Sequence, residues 1–274
     1  IPLKFPRIQG GDICGIIVQV GEGVERDRID TRTIVRSMQN NPTSNNPLEM
    51  QTMGSEFDGG FAQYCVAKAK ESFPINCDWS DIELASIPIS YSTAEGMLCR
   101  ADVEKKTILI TGASGGVGSA AIQLAKIRGA TIIAQCSPDK ASFLKDLGAD
   151  QTVNRSDNLV KVLGKNSVDV VFDLVGGSSW PQLLDIIKPG GKYVTSGAIA
   201  GPIVDLDLRS LYLKDLTLYG STVNDPFVFE NVIRYIEEGQ IKPLVAQTFP
   251  LKEIHKAQKV FMEKKFIGKI VLIP

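Results

Sequence analysis

Thr107-Ile108-Leu109-Ile110-Thr111-Gly112-Ala113-Ser114-Gly115-Gly116-Val117-Gly118 is the stretch from which the fold can be read. Its apolar and β-branched opening predicts a short buried strand. Glycines then turn the chain, and Ala120, Ala121, Ile122, Leu124, Ala125 and Ile127 recur at helical spacing. A strand, tight turn and helix in that order present backbone N–H groups at the positive end of a helix dipole, where a phosphate can sit. Ala113, Gly115 and Gly118 take the three small positions of the dinucleotide fingerprint, with Ala for the first Gly. Position 115 must be nearly bare for backbone to approach a pyrophosphate. Position 118 must be small for the helix to lie close to its strand. Ser114, Gly115, Gly116 and Val117 are the candidate diphosphate contacts. Any tight turn favours Gly, so it is the strand–helix frame that makes a dinucleotide site the expectation.

Working outward, Thr131–Gln135, a short segment at Val153, Asp169–Asp173, Lys192–Thr195 and Leu216–Tyr219 read as strands. Helices are expected from Pro138 to Leu147, from Val175-Gly176-Gly177 to about Ile187, and from Pro226 to Glu238, with a turn at Pro189-Gly190-Gly191. Near-continuous apolar strands alternating with helices predict an α/β fold, a doubly wound parallel sheet covered on both faces. The earlier part reads as β-rich with irregular connections. A strand from Gly15 runs into a glycine turn at Gly21–Gly23, and another begins at Ile34-Val35. Residues 37–56, with Asn40, Asn41, Pro42, Asn45, Asn46 and Pro47, read as a long loop, and Gly59–Ala67 as a strand. Ser80 and Glu83 form a capping-box pattern for a helix. Pro88 breaks that helix, and a second one starts near Ser92. The tail predicts a helix near Ile254–Lys264 and a strand over Gly268–Ile273, which pattern alone does not place.

Bulk properties narrow the function classes. With 274 residues, 43% hydrophobic and 22% charged, the chain reads as one or two ordinary globular domains. A net charge of −1 gives no electrostatic footprint for nucleic acid or a membrane surface. The longest apolar runs are strand-length, so no membrane span is expected. The chain opens on Ile1-Pro2 with neither an initiator Met nor a signal peptide, which leaves a trimmed and an incomplete start both open. Cys14, Cys65, Cys77, Cys99 and Cys136 are odd in number and contain no Cys-x-x-Cys pair. That pattern fits a reducing, cytoplasmic setting and no structural zinc. The single His255 reads as a surface residue, since no second histidine exists for a metal pair.

The coenzyme form is read at the end of the second strand, where an NAD site carries an acid for the ribose hydroxyl. Gln135-Cys136-Ser137 has none; Asp139 falls in the next helix. Ser137 and Lys140 could bind a 2′-phosphate, and Arg155 could reach it or stack on adenine. NADP(H) is therefore expected over NAD(H). A solvated surface role is the alternative for Lys140 and Arg155.

These residues together resemble the medium-chain dehydrogenase/reductase superfamily in its zinc-free, quinone oxidoreductase-like branch. Besides Thr111–Gly118, the matching motifs are Gln123-Leu124-Ala125-Lys126, Leu147-Gly148-Ala149-Asp150, Asp173-Leu174-Val175-Gly176-Gly177, Pro189-Gly190-Gly191 and Gly268-Lys269-Ile270-Val271. The resemblance implies a GroES-like β-rich domain made of residues 1–92 and 245–274, its amino-terminal strands preceding Ile1, and a Rossmann dinucleotide-binding domain over 93–244. It implies coenzyme contacts at Thr93, Val175, Ser196, Gly197, Ala198, Ser221, Thr222 and Lys269. Tyr91 and Thr93, the candidate catalytic residues, lie where members hold the nicotinamide, and Thr93 matches the family's threonine there; as a proton donor Tyr91 competes with a reading as pocket wall and with solvent. Zinc-using relatives have Gly-His-Glu where this chain has Gly10-Gly11-Asp12, and a later cysteine ligand falls on Ile89. Neither Gly nor Ile can coordinate zinc, so no metal is expected.

The resulting expectation is hydride transfer from NADPH to a quinone or an activated alkene or carbonyl. An NADPH-binding protein without turnover, acting as a sensor or partner subunit, is the alternative, with a zinc alcohol dehydrogenase behind it. A homodimer is expected through the edge strand near Leu216–Gly220.

Overall fold

The computed structural model describes residues 4–46 and 48–274. The start at Ile1-Pro2 and Pro47 of the Asn- and Pro-rich stretch lie outside the described residues. The chain divides into two compact units, Ile1–Ser92 with Val223–Pro274, and Thr93–Thr222. Among the described residues, no helix is long and apolar enough to cross a membrane.

The first unit opens with β1 (Cys14–Ile16), β2 (Arg32–Val35), β3 (Met38–Asn40), β4 (Met50–Thr52) and β5 (Ser72–Pro74). The antiparallel sheet runs β1-β2-β5, and β3 and β4 pair as a separate ribbon. Several expectations are corrected here. The strand from Gly15 ends at Ile16, and Ile34-Val35 close β2 instead of opening a strand. The expected loop over 37–56 contains the β3–β4 ribbon. Polar side chains brace the connection between its strands, and apolar alternation does not reveal it. Asn41 Nδ2 donates to Glu49 Oε1 at 2.9 Å, while Asn41 Oδ1 accepts from the Thr43 N–H. Gly59–Ala67 is not a strand. The N–H groups of Gly59 and Gly60 turn onto the carbonyls of Ile8 and Gly10. A Cβ on Gly59 would lie 2.2 Å from the Gly10 oxygen. These glycines are needed for a close chain crossing, and extended pairing is lost beyond it.

The capping box at Ser80 is present: Ser80 Oγ accepts from the Glu83 N–H, and Glu83 Oε2 accepts from the Ser80 N–H. It starts α1 (Asp81–Leu84). The helical stretch breaks before Pro88, as expected, and the second helix, α2 (Pro88–Ala101), starts at Pro88 itself and not near Ser92, because a first-turn proline lacks only an N–H that has no helical acceptor.

The second unit continues with β6 (Thr107–Ile110), α3 (Gly116–Ile127), β7 (Thr131–Cys136), α4 (Ala141–Leu147), β8 (Gln151–Asn154) and α5 (Leu159–Leu163). Then follow β9 (Val168–Asp173), α6 (Trp180–Ile186), β10 (Ile187–Thr195), α7 (Leu208–Tyr212) and β11 (Thr217–Gly220). The sheet order is β11-β10-β9-β6-β7-β8, all parallel. The fold is the expected one: an α/β Rossmann sheet in this unit and a GroES-like β-rich fold in the other. Alternate residues of each strand serve opposite faces. Leu109, Ile133, Val171 and Tyr193 join Leu159 of α5 and Trp180, Leu183 and Ile186 of α6 in one buried cluster. Pro189-Gly190-Gly191 lies inside β10 as a register shift between Ile187 and Lys192, not as a turn before it. A Cβ on Gly191 would come within 2.3 Å of the Ile187 side chain, so the bare residue lets the strand resume directly.

The chain then forms α8 (Pro226–Glu237), β12 (Val245–Pro250), α9 (Ile254–Glu263) and β13 (Lys269–Ile273), with β12 and β13 parallel. The return to the first unit begins at Val223, earlier than the expected residue 245. Phe229 of α8 packs on Phe73 with ring centroids 4.9 Å apart, and Glu237 accepts from the Asn76 N–H. Aromatic burial thus groups α8 with the β-rich unit.

Candidate functional site

The sheet order reverses between β6 and β9, and ligands in open parallel sheets bind outside the strand carboxyl ends at such a point. The β6–α3 turn stands there. Gly112 has φ +59°, a left-handed conformation that favours glycine. Gly115 is the residue before α3, with φ −77° and ψ 172° and no side-chain cap. A Cβ on Gly115 would meet only the Gly112 oxygen, at 3.4 Å, whereas one on Gly118 would lie 2.4 Å from that same oxygen. Position 118 thus sets helix against turn, and position 115 leaves bare backbone at the helix start. The first-turn N–H groups of Gly116 and Val117 have no helical acceptor, beside half-buried Ser114 and exposed Gly115. This cradle fits a diphosphate. The conformational demand at Gly112 is one the fingerprint reading missed; a glycine directly after a strand was its signal.

At the end of β7, Ser137, Lys140 and Arg155 come together. The Lys140 N–H reaches the Ser137 carbonyl at 3.1 Å, and the Arg155 N–H reaches the Cys136 carbonyl at 3.0 Å. Asp139 joins them. The Ser137 hydroxyl bonds its carboxylate and, with Lys140 and Arg155 nearby, holds its pKa below the usual range. The cluster can take a 2′-phosphate, but one acid stands inside it.

The turns after β9 and β10 close on each other. Ala200 N–H donates to the Val175 carbonyl and Gly177 N–H to the Gly201 carbonyl. A Cβ on Gly197 would lie 2.9 Å from the Leu174 oxygen. Ser221 is buried and donates its N–H to Thr195, while Ser196 and Ala198 are exposed at the edge and Thr222 follows Ser221. Beneath these turns lies Asp173, fully buried, which sequence reasoning noted only as part of a motif. Its Oδ1 accepts from Thr111 Oγ1 at 2.5 Å and the Val175 N–H at 2.9 Å. Its Oδ2 accepts from Tyr193 Oη at 2.5 Å and the Gly176 N–H at 3.1 Å. Burial and this carboxylate push the Tyr193 phenol up, so it stays a donor.

In the first unit, Tyr91 is buried and its hydroxyl donates to the Lys242 carbonyl at 2.6 Å. That engagement favours the pocket-wall reading over proton donation. Thr93 follows in α2, half-buried. Lys269 Nζ lies 2.6 Å from Asp12 Oδ2, and Asp12 Oδ1 accepts from the Ile89 N–H at 2.6 Å.

The zinc ligand positions can be tested here. A Cβ on Gly11 would stop 2.5 Å from Ile89 Cδ1, so the Ile89 side chain occupies the space where a side chain at position 11 would begin. Asp12 is already committed to Lys269 and α2. Among the described residues no group of three His, Cys, Asp or Glu could hold a metal. Neither Gly11 nor Ile89 carries a side-chain donor atom for zinc.

Comparison with known proteins agrees with this architecture. The alcohol dehydrogenase GroES-like domain family matches residues 2–77, and the zinc-binding dehydrogenase family matches residues 116–238. A solved Sinorhizobium meliloti 1021 structure that carries the name of an alcohol dehydrogenase superposes with a TM-score of 0.94 at 46% identity, over 99% of this chain and 77% of that one. The acryloyl-coenzyme A reductase of Metallosphaera sedula is 28% identical over 98% of this chain and 84% of its own length. The 2-octenoyl-CoA carboxylase reductase CinF, solved in complex with NADP and 2-octenoyl-CoA, superposes with a TM-score of 0.89 at 27% identity, over 97% of this chain and 68% of that one.

Proposed function

The chain belongs to the medium-chain dehydrogenase/reductase superfamily, and from that premise we propose that it passes hydride from NADPH to a quinone or an activated alkene or carbonyl without zinc. The coenzyme, when bound, supplies the hydride. The chain's own residues hold and orient. The Gly112–Gly118 backbone takes the diphosphate, and Ser137, Lys140 and Arg155 take the 2′-phosphate. Val175, Ser196, Gly197, Ala198, Ser221 and Thr222 line the nicotinamide-ribose end. Thr93 and Lys269 keep the coenzyme-contact roles that the resemblance implies. Tyr91 is a wall, and solvent protonates the product.

The observation that carries the reading is that Ile89 fills the space beside Gly11 and neither residue has a donor atom. Oxidation of an alcohol in this fold needs a Lewis acid on the alkoxide, and these residues offer none. A conjugated carbonyl accepts hydride without one, and the enoyl-CoA ligand named for CinF is of that class. The open edge of β11 and the exposed Ile199, Ile203, Tyr212 and Leu213 further support a homodimer.

The test is NADPH oxidation followed by absorbance against a panel of quinones, enones and enoyl thioesters, with and without a chelator. Acceptor-dependent oxidation that survives the chelator is the expected result. Tight NADPH binding without turnover would make it a binding protein. Chelator-sensitive oxidation of an alcohol with NADP would overturn the zinc-free assignment.

A further inference from the structure

Asp173 is a buried carboxylate with four donors around it: the hydroxyls of Thr111 and Tyr193 and the N–H groups of Val175 and Gly176. A carboxyl group in such a place is tolerated only when its lone pairs are met, and here they are met from the turns after β6 and β9 and from β10. Thr111 is the last residue before the diphosphate turn. Its Oγ1 both donates to Asp173 and accepts from the Leu174 N–H at 3.0 Å. Val175 and Gly176 form the turn after β9, and Tyr193 rises from β10. The contacts continue outward: a Cβ on Gly112 would lie 3.2 Å from Val175 Cγ2, and one on Gly118 2.4 Å from the Gly112 oxygen.

We propose that Asp173 is a positioning residue that fixes the diphosphate turn relative to the Val175–Gly176 turn, and so sets where the nicotinamide end of the coenzyme lies once its diphosphate is held. This rests on the coenzyme reading above. The carboxylate does not touch the coenzyme; it acts through Thr111 and Val175. Hydrophobic packing could hold β6, β9 and β10 together without it, since Phe172, Val171 and Leu109 are already fully buried. A shared acceptor adds directional bonds to the turns themselves, where packing has no purchase. Rate is the property most sensitive to such a link, because displacement by about 1 Å costs on the order of a hundredfold in a reaction that depends on alignment.

The experiment uses Thr111→Val, Tyr193→Phe and Thr111→Ser, which remove one donor each or retain it, with Asp173→Asn as the harsher variant. For each, NADPH affinity by fluorescence, kcat, thermal midpoint and the kinetic isotope effect with 4-deuterated NADPH are measured. Expected for Thr111→Val is a kcat on the order of tenfold lower, a larger isotope effect and an NADPH Kd changed far less. Thr111→Ser restores the wild-type values. If Thr111→Val and Tyr193→Phe lose only thermal midpoint, keeping kcat and isotope effect, Asp173 is structural and the inference falls while the coenzyme reading stands. If the unsubstituted chain binds no NADPH, the coenzyme reading itself falls and takes this one with it.

Discussion

A methyl group on Gly118 would lie 2.4 Å from the carbonyl oxygen of Gly112. Helix α3 and the turn before it therefore meet through backbone alone, and no rotamer change can relieve an added atom. Gly118→Ala should lower stability by about 1–3 kcal/mol, the usual cost of overpacking, and weaken NADPH together with it by moving the helix start off the diphosphate. Denaturant midpoint and calorimetric titration check both. Gly115→Ala meets only a 3.4 Å contact and should leave the midpoint nearly unchanged while still weakening NADPH.

Selection of the phosphorylated coenzyme should reside at the end of β7. Lys140→Met and Arg155→Met should each weaken NADPH about five- to tenfold, the value of one charge-assisted contact of ~1–1.4 kcal/mol, with NADH binding unchanged. Asp139→Asn removes the one acid that the Ser137 hydroxyl now engages, and should strengthen NADPH. Paired titrations with the two coenzymes read the ratio, and equal losses for both would place the cluster away from the 2′-phosphate.

Cys99 supplies a pH signature. Its Sγ lies 3.5 Å from Glu95 Oε1 and 3.6 Å from Arg128 Nη2. Burial first, then the Glu95 carboxylate, pushes the thiol from 9.0 up to about 11. The folded chain keeps this proton where the unfolded chain has given it up. Stability from this group is thus present below pH 9 and lost as pH rises through 11. At pH 8 the folded thiol should hold about a hundredfold less thiolate than an ordinary cysteine. Alkylation mapped by mass spectrometry should leave Cys99 unmodified in native buffer and label it in denaturant.

The open edge of β11 should be closed by a second copy. Light scattering at micromolar concentration should give twice the 29.7 kDa of one chain. Ile203→Asp combined with Leu213→Asp, at positions 87% and 70% exposed, should give the mass of one chain with the secondary structure retained. A single-chain mass for the unsubstituted protein would rule the dimer out.

What was legible in the chain beforehand was local. The strand, glycine turn and helix of Thr107–Ile127, the capping box at Ser80 and Glu83, and the repeated apolar strands of the doubly wound sheet all follow from periodicity and backbone preference among neighbours in sequence. The pairing of Gly11 with Ile89 was legible only through family resemblance, since residues 78 positions apart carry no shared local signal. Tertiary structure alone decided the rest. The β3–β4 ribbon is stitched by Asn41 and Glu49, Gly59 and Gly60 serve a chain crossing instead of a strand, and α8 is drawn to the β-rich unit by Phe73. Asp173 gathers donors from Thr111, Val175, Gly176 and Tyr193, and Asp139 enters the Ser137 cluster. Each depends on hydrogen bonds or close contacts whose partners only folding brings together, and whose direction no hydrophobic period encodes.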